Sequence, residues 1–546
     1  MPALKGVSSA DLIIKGKVHT VDAQNQVVEA VAVAQDRIVA AGTAAEIAAL
    51  EGPHTVVVDA GIRTVMPGIY DSHNHMVSAG RMMEGVMLFD ATCIRDVQEA
   101  VAARAAQLEP DTWVVGGGWI ESQFDEYRPP TRYELDEAAP DHPVVLFRLF
   151  GMAVANSRAL AKAGIGAGTP DPVRGAIDRD PRTGEPTGIL RSGAAYLLAG
   201  AIQRRNRRES LDEIKAHIVR AGREYLRWGI TSIIDPGVSP PMARAYQELR
   251  VEGRLPLRVN LMPAWHGMYS LAETDRQLEA LGVYSGFGDP WLSLGAVKMA
   301  IDGGLGSRTA LLNWPLKDGS RSTEPLRLDV SRLEAYFERV HGAGWSIGIH
   351  CCGDQAQDLA CRALASVNRR DARPDARHNI IHAYFATKEA LDLMVDHNIA
   401  VSVQPGFMFV EGDIYYDSVD DERLESYQPL RTYLDRGIMV AANSDMTSAH
   451  YNPFLGMRAS MDRKTAKGRV LGTRESITRE EMLRLFTING AYLAFEDHRK
   501  GSLEPGKLAD IAVLSGDIMG VTTSEIGQLT VALTVLGGQI VHRQGL

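Results

Sequence analysis

Cysteine is scarce in this sequence of 546 residues, which contains only Cys93, Cys351, Cys352 and Cys361. A secreted protein held together by disulfides would usually contain more at this size. The adjacent pair Cys351–Cys352 lacks the C-x-x-C spacing of a zinc ribbon or a thioredoxin-type site. Residues Met1–Ala10 also lack the basic and then apolar pattern of a signal peptide. These absences predict a cytoplasmic protein.

Long apolar runs and an excess of basic charge are also missing. No apolar segment approaches the ~20 residues that a membrane span needs. The 58 basic residues are outnumbered by 68 acidic ones, which gives a net charge of -10. This balance argues against a nucleic-acid groove and against an anionic membrane surface, so we expect neither as a partner.

Aromatic residues make up only 6% of the chain, whereas glycine occurs 52 times. Frequent glycines indicate many turns, which suits an α/β protein with short connections better than a helical bundle. Both ends of the chain are rich in short β-type segments. We therefore predict one small β-sandwich domain built from residues 1–63 and 501–546, with an α/β domain at 64–500 between them.

The central region alternates apolar strand-like segments with helical ones, for example at 211–228 and 330–343. Eight such strands are the number that a (β/α)₈ TIM-type barrel needs. Residues of about 76–210 do not follow this rhythm and are predicted to be an insertion after the first strand that covers the site. The eight predicted strands are Thr64–Tyr70, Ile230–Asp235, Leu257–Met262, Gly295–Ala300, Trp345–His350, Asn379–Ala383, Ala400–Pro405 and Ile438–Asp445.

Five of these strands carry or lead into side chains of the metal-binding type. Such groups at the C-terminal ends of barrel strands are where catalytic residues of this fold occur. Residues i and i+2 of an extended segment point the same way, so two histidines spaced in this manner can approach one ion. Each residue alone has a common structural role, but several buried ionisable groups together are costly unless a metal binds them. Imidazole and carboxylate ligands suit zinc. The residues are His73, His75, Lys298, His350, His382 and Asp445.

These motifs resemble those of the amidohydrolase superfamily, and specifically its amidohydrolase-3 branch. Val65–His75 resembles the family's P-G-(F/L)-x-D-x-H-x-H, and His350–Ala356 resembles H-x-x-G-D-x-A. Three further segments are similar to the family's lysine segment, its G-S-D-W and its closing G-S-I-x-P-G-K-x-A-D. They are Val297–Ala310, Asn443–Met446 and Gly501–Ile511.

The resemblance implies a role for each matching residue. His73 and His75, with Asp445, hold the more buried of one or two Zn²⁺ ions, and His350 and His382 hold the second. Lys298 is carboxylated and bridges both ions. A metal-activated hydroxide then attacks the carbonyl of a small organic substrate, and Asp445 moves the proton to the leaving nitrogen. The resemblance implies hydrolysis of an amide or N-acyl amine, and a homodimer.

Several departures from the family pattern bear on the substrate. Met152 follows Phe150-Gly, where the family often has D-G-H, while Ile381 replaces a glutamate and Met446 an aromatic residue. Trp119 and Phe407 either line a substrate pocket or pack in the core. Arg308 either binds a substrate carboxylate or braces the backbone of its turn.

Other chemistries stay open at this point. The same ligands support ester or lactone hydrolysis, deamination, decarboxylation, retro-aldol cleavage or isomerisation. A barrel that only binds small molecules or protein partners is a different class of function. Lys298 as a Schiff-base lysine is a further alternative, although the surrounding histidines favour a metal.

Overall fold

The computed structural model describes residues 8–149, 152–172, 175–205, 209–264, 276, 282–321, 326 and 328–546. The chain forms two compact units. The larger unit consists of Met1–His75, Gly222–Asp445 and Tyr451–Leu546, and the smaller unit of Met76–Ala221 and Met446–His450. The predicted domain limits at 63, 64, 500 and 501 stay a prediction.

The helices and strands of the smaller unit interrupt those of the larger unit along the chain. The larger unit begins with β1 (Leu12–His19), β2 (Val27–Ala34), β3 (Arg37–Gly42), α1 (Ala44–Ala48), β4 (Val56–Pro67) and β5 (Ile69–Asp71). The smaller unit contains α2 (Met76–Met82), β6 (Val86–Met87), α3 (Ile94–Ala105), β7 (Val114–Trp119), α4 (Arg132–Ala138), β8 (Val144–Arg148), β9 (Met152–Ala155), α5 (Ser157–Ala163), β10 (Gly175–Arg179), β11 (Pro186–Ser192) and α6 (Ala195–Arg205). Next come α7 (Leu211–Arg227), β12 (Ile230–Val238), α8 (Pro240–Val251), β13 (Arg258–Pro263), β14 (Leu292–Leu294), β15 (Val297–Ala300), α9 (Leu333–Gly342), β16 (Ile347–Cys351), α10 (Asp354–Arg370), β17 (Asn379–His382), α11 (Lys388–Asp396), β18 (Ala400–Val403), α12 (Phe407–Ser418), α13 (Asp421–Leu424), α14 (Leu430–Asp435) and β19 (Val440–Ala442). The chain ends with α15 (Pro453–Asp462), α16 (Arg479–Leu485), α17 (Ile488–Leu493), β20 (Ile511–Leu514), α18 (Thr523–Ile526), β21 (Val531–Leu536) and β22 (Gln539–Arg543), and short 3₁₀ turns occur at Glu121–Gln123, Val330–Arg332 and Thr473–Glu475.

Strands from both chain ends form one seven-stranded sheet in the order β22-β21-β20-β4-β1-β2-β3. Alternate apolar residues of these strands, such as Leu12, Ile14, Val31 and Val33, are buried in a shared core. Period-two alternation is the pattern of a half-buried strand, which explains why these segments pair as a sheet. The structure therefore places strands from both chain ends in one sheet, while the β-sandwich domain stays a prediction.

Nine parallel strands of the larger unit form two sheets, in the orders β14-β13-β12-β5 and β15-β16-β17-β18-β19. Two contacts link the two sheets. Ala264, directly after β13, forms a parallel β-bridge with Lys298 of β15, and the Ser72 amide, directly after β5, donates to the Ala442 carbonyl of β19 (3.4 Å). All eight predicted strands are present among these nine, with β14 as an addition.

The first predicted strand divides between two sheets. Its residues up to Pro67 belong to β4 in the terminal sheet, and Ile69–Asp71 form β5 of the parallel sheet. Gly68 lies at the division, where an added Cβ would stand 2.2 Å from Thr231 Oγ1. Only glycine allows so close an approach, so this residue lets the chain pass from one sheet to the next.

Apolar side chains from different parallel strands meet in one buried cluster, which includes Tyr70, Ile234, Met262, Ile381 and Ala441. Helices α7 to α11 follow or precede the strands in the rhythm that the sequence predicts. The larger unit is thus an α/β structure whose parallel strands direct one face towards a common core.

A network of paired charges is buried near the N-terminal ends of these strands. Arg258, the first residue of β13, forms two hydrogen bonds to the Asp510 carboxylate (2.7 and 2.9 Å). Lys500 Nζ lies 2.5 Å from Glu496 Oε2, which also accepts a hydrogen bond from Tyr70 (2.9 Å). Each of these buried charges has an opposite charge beside it, which is the condition for burying them at tolerable cost.

The smaller unit has a six-stranded sheet in the order β10-β11-β9-β8-β7-β6. Strands β6, β7 and β8 are parallel, and the remaining pairs are antiparallel. The predicted role of residues 76–210 as a cover stays a prediction. Within the described part of the chain, none of the helices combines the length and apolar character that a membrane span requires.

Candidate metal centre

The loops after the first and last parallel strands are tied together by Asp71, the last residue of β5. Its carboxylate accepts hydrogen bonds from the Ser444 amide (2.9 Å), the Ser444 hydroxyl (2.6 Å) and Asn74 Nδ2 (2.9 Å). The Asp445 amide also donates to the His73 carbonyl (2.9 Å). Two segments that are far apart in the sequence are therefore held in contact immediately beside the predicted ligands.

His73, His75 and Asp445 form a first ligand group, whose ligand atoms all lie within 4.8 Å of one another. Asp445 Oδ1 is 3.8 Å from His73 Nε2 and 3.3 Å from His75 Nε2. The side chains of His73 and Asp445 are buried, whereas that of His75 is 37% exposed. One ligand is thus reachable from solvent while two are fixed in the interior.

Lys298 reaches this group from β15, a different parallel strand. Its Nζ atom lies 3.1 Å from His73 Nε2. The β-bridge from Lys298 to Ala264 and the pairing of Lys298 with Gly348 in β16 fix its backbone between two strands. The lysine that the sequence singles out therefore adjoins the histidine predicted to share an ion with it.

His350, Cys352 and His382 form a second ligand group with the same 4.8 Å limit. The ring centroids of His350 and His382 are 4.2 Å apart. His382 also faces His73 of the first group at 6.0 Å between ring centroids. The two groups are therefore neighbours, as a two-metal centre requires.

Gln404, which follows β18, sets the orientation of the His382 ring. Its Oε1 atom accepts a hydrogen bond from His382 Nδ1 (2.8 Å), while its Nε2 atom donates to Asn443 Oδ1 (2.9 Å). Because the Gln404 amide group is already directed at Asn443, His382 carries its proton on Nδ1. Nε2 consequently presents a lone pair, which is the form a metal binds.

Burial and neighbouring charge give these residues the protonation states of ligands. Burial and then the Lys298 charge hold the pKa of His73 well below its ordinary value. Burial lowers the pKa of His382 to about 4. Burial raises the pKa of Asp445, but the nearby His75, His382 and Lys298 more than offset this, so the pKa lies below its ordinary value. Neutral imidazoles beside an ionised carboxylate are the donor set of a divalent cation.

The spacing of the first group fits a zinc ion. Bonds of about 2.0–2.2 Å at tetrahedral angles place ligand atoms about 3.3–3.6 Å apart. The separations from Asp445 Oδ1 to the two histidines, 3.3 and 3.8 Å, lie at or close to this range. Among the described residues Asp445 Oδ1 is buried without a well-aligned hydrogen bond. A buried carboxylate oxygen of this kind is costly unless a cation satisfies it.

Two of the predicted ligands have a left-handed backbone, with φ of +80° at His382 and +48° at Asp445. Such values are uncommon outside glycine and store strain that the surrounding structure must hold. At His382 the turn breaks the side-chain alternation of β17. Ile381 is buried in the core cluster, and the next residue nevertheless brings its ring to the ligand group.

The four residues predicted to contact substrate lie in different surroundings. Phe407 is buried at the start of α12, nearly parallel to the His382 ring (6.3 Å between centroids, 17°). Arg308 has an exposed side chain that pairs with Asp318 (2.6 Å) in a left-handed turn (φ +59°). In the smaller unit Trp119 and Met152 belong to one hydrophobic core, where Trp119 stacks on Phe124. Phe150 lies outside the described residues. Their substrate roles stay predictions.

Three residues beside the ligands were missed in the sequence. They are Gln404, Cys352 and Asp302, whose carboxylate accepts from the Cys352 and Gly353 amides (3.0 and 2.8 Å). Burial raises the pKa of Asp302 to about 6. Position along the strands is the signal that could have found them. Gln404 follows a parallel strand, Asp302 stands two residues beyond β15, and Cys352 is two residues from His350.

Parallel strands that direct two adjoining groups of imidazole and carboxylate ligands to their C-terminal ends are typical of metal-dependent hydrolases. The model of the amidohydrolase family matches residues 56–542. The chain therefore belongs to the amidohydrolase family. It is accordingly a metal-dependent hydrolase that acts on carbon–nitrogen bonds other than peptide bonds.

Known proteins of this kind resemble the chain over almost its whole length. It is 30% identical to an N-substituted formamide deformylase from Arthrobacter pascens, over 96% of this chain and 97% of that protein. An uncharacterized metal-dependent hydrolase from Pyrococcus horikoshii OT3 is similar in structure, with a TM-score of 0.72 and 25% identity over 94% of this chain and 99% of that one. Atrazine chlorohydrolase from Arthrobacter aurescens TC1, solved with zinc, shares the fold at a TM-score of 0.52, with 15% identity over 97% of this chain and 95% of that one.

Proposed function

We propose that this protein hydrolyses the carbon–nitrogen bond of an amide or N-acyl amine in a small organic substrate, with zinc as the metal. The observation that carries the proposal is the meeting of His73, His75 and Asp445 at ligand spacing, with a second histidine pair beside them. The relative named for the deformylation of N-substituted formamides cleaves the same class of bond. This supports amide over ester hydrolysis as the activity.

The proposal includes the finer features of the fold. The two parallel sheets, joined by the Ala264–Lys298 bridge and by the Ser72–Ala442 hydrogen bond, form one (β/α)₈ barrel. Residues 1–63 and 501–546 form the β-sandwich domain, and about 76–210 form the cover. The site then lies at the C-terminal end of the barrel strands, where this fold carries its chemistry. The homodimer stays a prediction.

Each predicted ligand has a specific role in the proposed site. His73, His75 and Asp445 hold the first ion, and His350 and His382 hold the second. Lys298 would be a ligand of both ions if its neutral amine took up CO₂ and released a proton, because the resulting anionic carbamate has two oxygen donors. Zinc bound there would lower the pKa of a coordinated water and polarise the substrate carbonyl.

Asp445 is placed to move the proton during hydrolysis. The pKa of its carboxyl group lies below the ordinary value, so the group is ionised near neutral pH. It can therefore accept a proton from the attacking water and return it to the leaving nitrogen, which must be protonated to depart as an amine. Phe407 lies along the His382 ring and limits the space in which that ring can turn.

Metal analysis combined with a paired substrate panel tests the proposal. The purified protein is expected to contain zinc, to lose turnover after chelation and to regain it when zinc is returned. An N-substituted formamide and the corresponding formate ester are compared by release of amine or alcohol. Amide turnover is the expected result. Turnover of the ester alone would support the alternative chemistry, and full activity in metal-free protein would overturn the proposal.

A matched pair of histidine variants separates the ligand role from general damage. His73→Asn is expected to lose bound zinc and activity together. His378→Asn also replaces a buried histidine, but one whose ring atoms hydrogen-bond to Ile347 and His341. It is expected to retain zinc and turnover. Equal zinc content in the two variants would contradict the assignment of His73.

A further inference from the structure

The end of β16 repeats, with a different donor, the arrangement that follows β5. His73 and His75 are two positions apart and belong to one ligand group, and the same holds for His350 and Cys352. Cys352 Sγ lies 3.5 Å from His350 Nε2, and one ligand atom each of His350, Cys352 and His382 lie within 4.8 Å of one another. The thiol is buried. A soft donor therefore stands inside the second ligand group.

The backbone at Cys352 is held in place by a single carboxylate. Asp302 Oδ1 accepts from the Cys352 amide (3.0 Å), and Oδ2 accepts from the Gly353 and Leu311 amides (2.8 and 2.9 Å). An added Cβ at Gly353 would stand 1.9 Å from the Leu311 carbonyl oxygen, so these segments are in close contact. The position of the thiol beside His350 is therefore set by the surrounding structure.

The distance from Cys352 Sγ to His350 Nε2 matches that of two ligands of one ion. A zinc–sulfur bond of about 2.3 Å and a zinc–nitrogen bond of about 2.0–2.1 Å at a tetrahedral angle separate the two ligand atoms by about 3.5 Å. We propose that Cys352 is the third protein ligand of the second cation, together with His350 and His382. This inference rests on the proposed function, because it needs a cation at that site.

The consequence is that the two halves of the centre differ in chemical character. The first group offers two imidazoles and a carboxylate, and the second offers two imidazoles and a thiolate. Binding of the cation replaces the thiol proton, which is released to solvent while the sulfur–metal bond forms. A thiolate favours zinc, cobalt and cadmium over magnesium or manganese, so the second site is selective for thiophilic metals.

Cobalt substitution tests the inference, and the neighbouring cysteine provides a matched control. Wild type, Cys352→Ser and Cys351→Ser are stripped of metal and loaded with Co²⁺. Wild type and Cys351→Ser are expected to show near-ultraviolet thiolate-to-cobalt charge-transfer absorption as well as visible ligand-field bands. Cys352→Ser is expected to keep ligand-field bands from the first site, to lose the charge-transfer band, and to bind Cd²⁺ about tenfold more weakly or worse at the second site.

The possible outcomes separate this inference from the proposed function. Visible cobalt bands without charge-transfer absorption in wild type would overturn the thiolate ligand and leave the metal-dependent hydrolase intact. That result does not depend on whether Cys352→Ser folds. A band that disappears in Cys351→Ser but persists in Cys352→Ser would also overturn it. Failure of wild type to bind any cobalt would instead contradict the proposed function.

Discussion

The buried polar groups at the two ends of the parallel strands differ in how they are paired within the protein. Near the N-terminal ends, Arg258 is matched to Asp510 and Lys500 to Glu496, and each charge is satisfied within the protein. At the C-terminal ends, Asp445 Oδ1 is buried without a well-aligned hydrogen bond among the described residues, and the His382 Nε2 lone pair is directed away from its Gln404 partner. The charges named at the N-terminal ends are neutralised within the protein, whereas the atoms named at the C-terminal ends are suited to bind a cation.

The contrast separates groups that maintain the fold from groups that are candidates for function. Breaking a satisfied buried ion pair destabilises the fold, because one charge is left uncompensated. A buried carboxylate oxygen such as Asp445 Oδ1 costs free energy, and a bound cation would offset that cost. Substitutions at the C-terminal ends should therefore reduce activity more than stability, and substitutions at the N-terminal ends should do the reverse.

The largest expected effect comes from Asp445→Asn. The substitution preserves shape and the backbone hydrogen bond to His73, but it removes the negative charge and the proton acceptor. We expect kcat/KM to fall by about 10³-fold or more, because a general base and a metal ligand are lost together. Steady-state kinetics and zinc content measure the effect. The thermal midpoint of the metal-free protein should change little, and wild-type turnover in this variant would contradict the role of Asp445.

Asp510→Asn is the counterpart at the other end of the strands. It leaves Arg258 buried without its ion-pair partner, which should reduce the free energy of unfolding by about 3–5 kcal/mol. The denaturant midpoint is expected to shift downwards, while kcat of the folded fraction stays near that of wild type. A loss of kcat without loss of stability would show that the two ends are not separate in function.

Gln404→Met removes the acceptor that orients His382 and keeps the side chain's size. Metal affinity or activity is expected to fall about 10–100-fold, the usual range for loss of a partner that orients a metal-bound histidine. Zinc titration of the stripped protein measures the change. Gln357→Met is the control, since it removes a buried hydrogen bond to the Phe385 carbonyl, whereas Gln404→Met removes the bonds to His382 and Asn443. An equal loss of zinc affinity in the control would contradict the positioning role of Gln404.

The structure brings together residues that the sequence singled out, and their role as metal ligands stays a prediction. The signal in the sequence is local, because His73, Lys298, His382 and Asp445 each lie in or just after a short apolar strand, and their joint occurrence indicates a metal. All eight strands were located for the same reason, since each is a short apolar segment between polar ones.

What the sequence could not show depends on contacts between distant segments. Gln404 and Asp302 act through hydrogen bonds to residues on other strands, which no spacing rule reveals. The split of the first strand at Gly68 follows from its contact with Thr231. Ile381 and His382 both turn inwards because of a left-handed backbone at His382, which strand periodicity does not predict.

The smallest expected effect concerns a histidine pair near the N-terminal ends of β16 and β17. His378 Nδ1 accepts from the Ile347 amide (3.0 Å), so its Nε2–H donates to His341 Nδ1 (2.8 Å), and His341 Nε2–H in turn donates to the Asp371 carbonyl (2.9 Å). This chain of hydrogen bonds requires both rings to be neutral. The ring lone pairs of His378 and His341 both accept hydrogen bonds within the protein. The Nε2 lone pair of the predicted ligand His382 is instead available to a metal.

Acid should therefore destabilise the fold through this pair. Burial, and then the proximity of His341 and the Arg373 guanidinium, hold the pKa of His378 well below its ordinary value of 6.5. Below about pH 6.5 His378 binds a proton in the unfolded chain but not in the folded chain, so the free energy of unfolding falls as the pH falls. For one histidine this loss is at most about 1.4 kcal/mol per pH unit.

In His378→Asn the side-chain oxygen can still accept from the Ile347 amide but does not titrate. Denaturant unfolding at pH 7.5 and 5.5, at fixed zinc, should show wild type losing more stability than the variant, and a pH-independent difference between them would contradict the assignment.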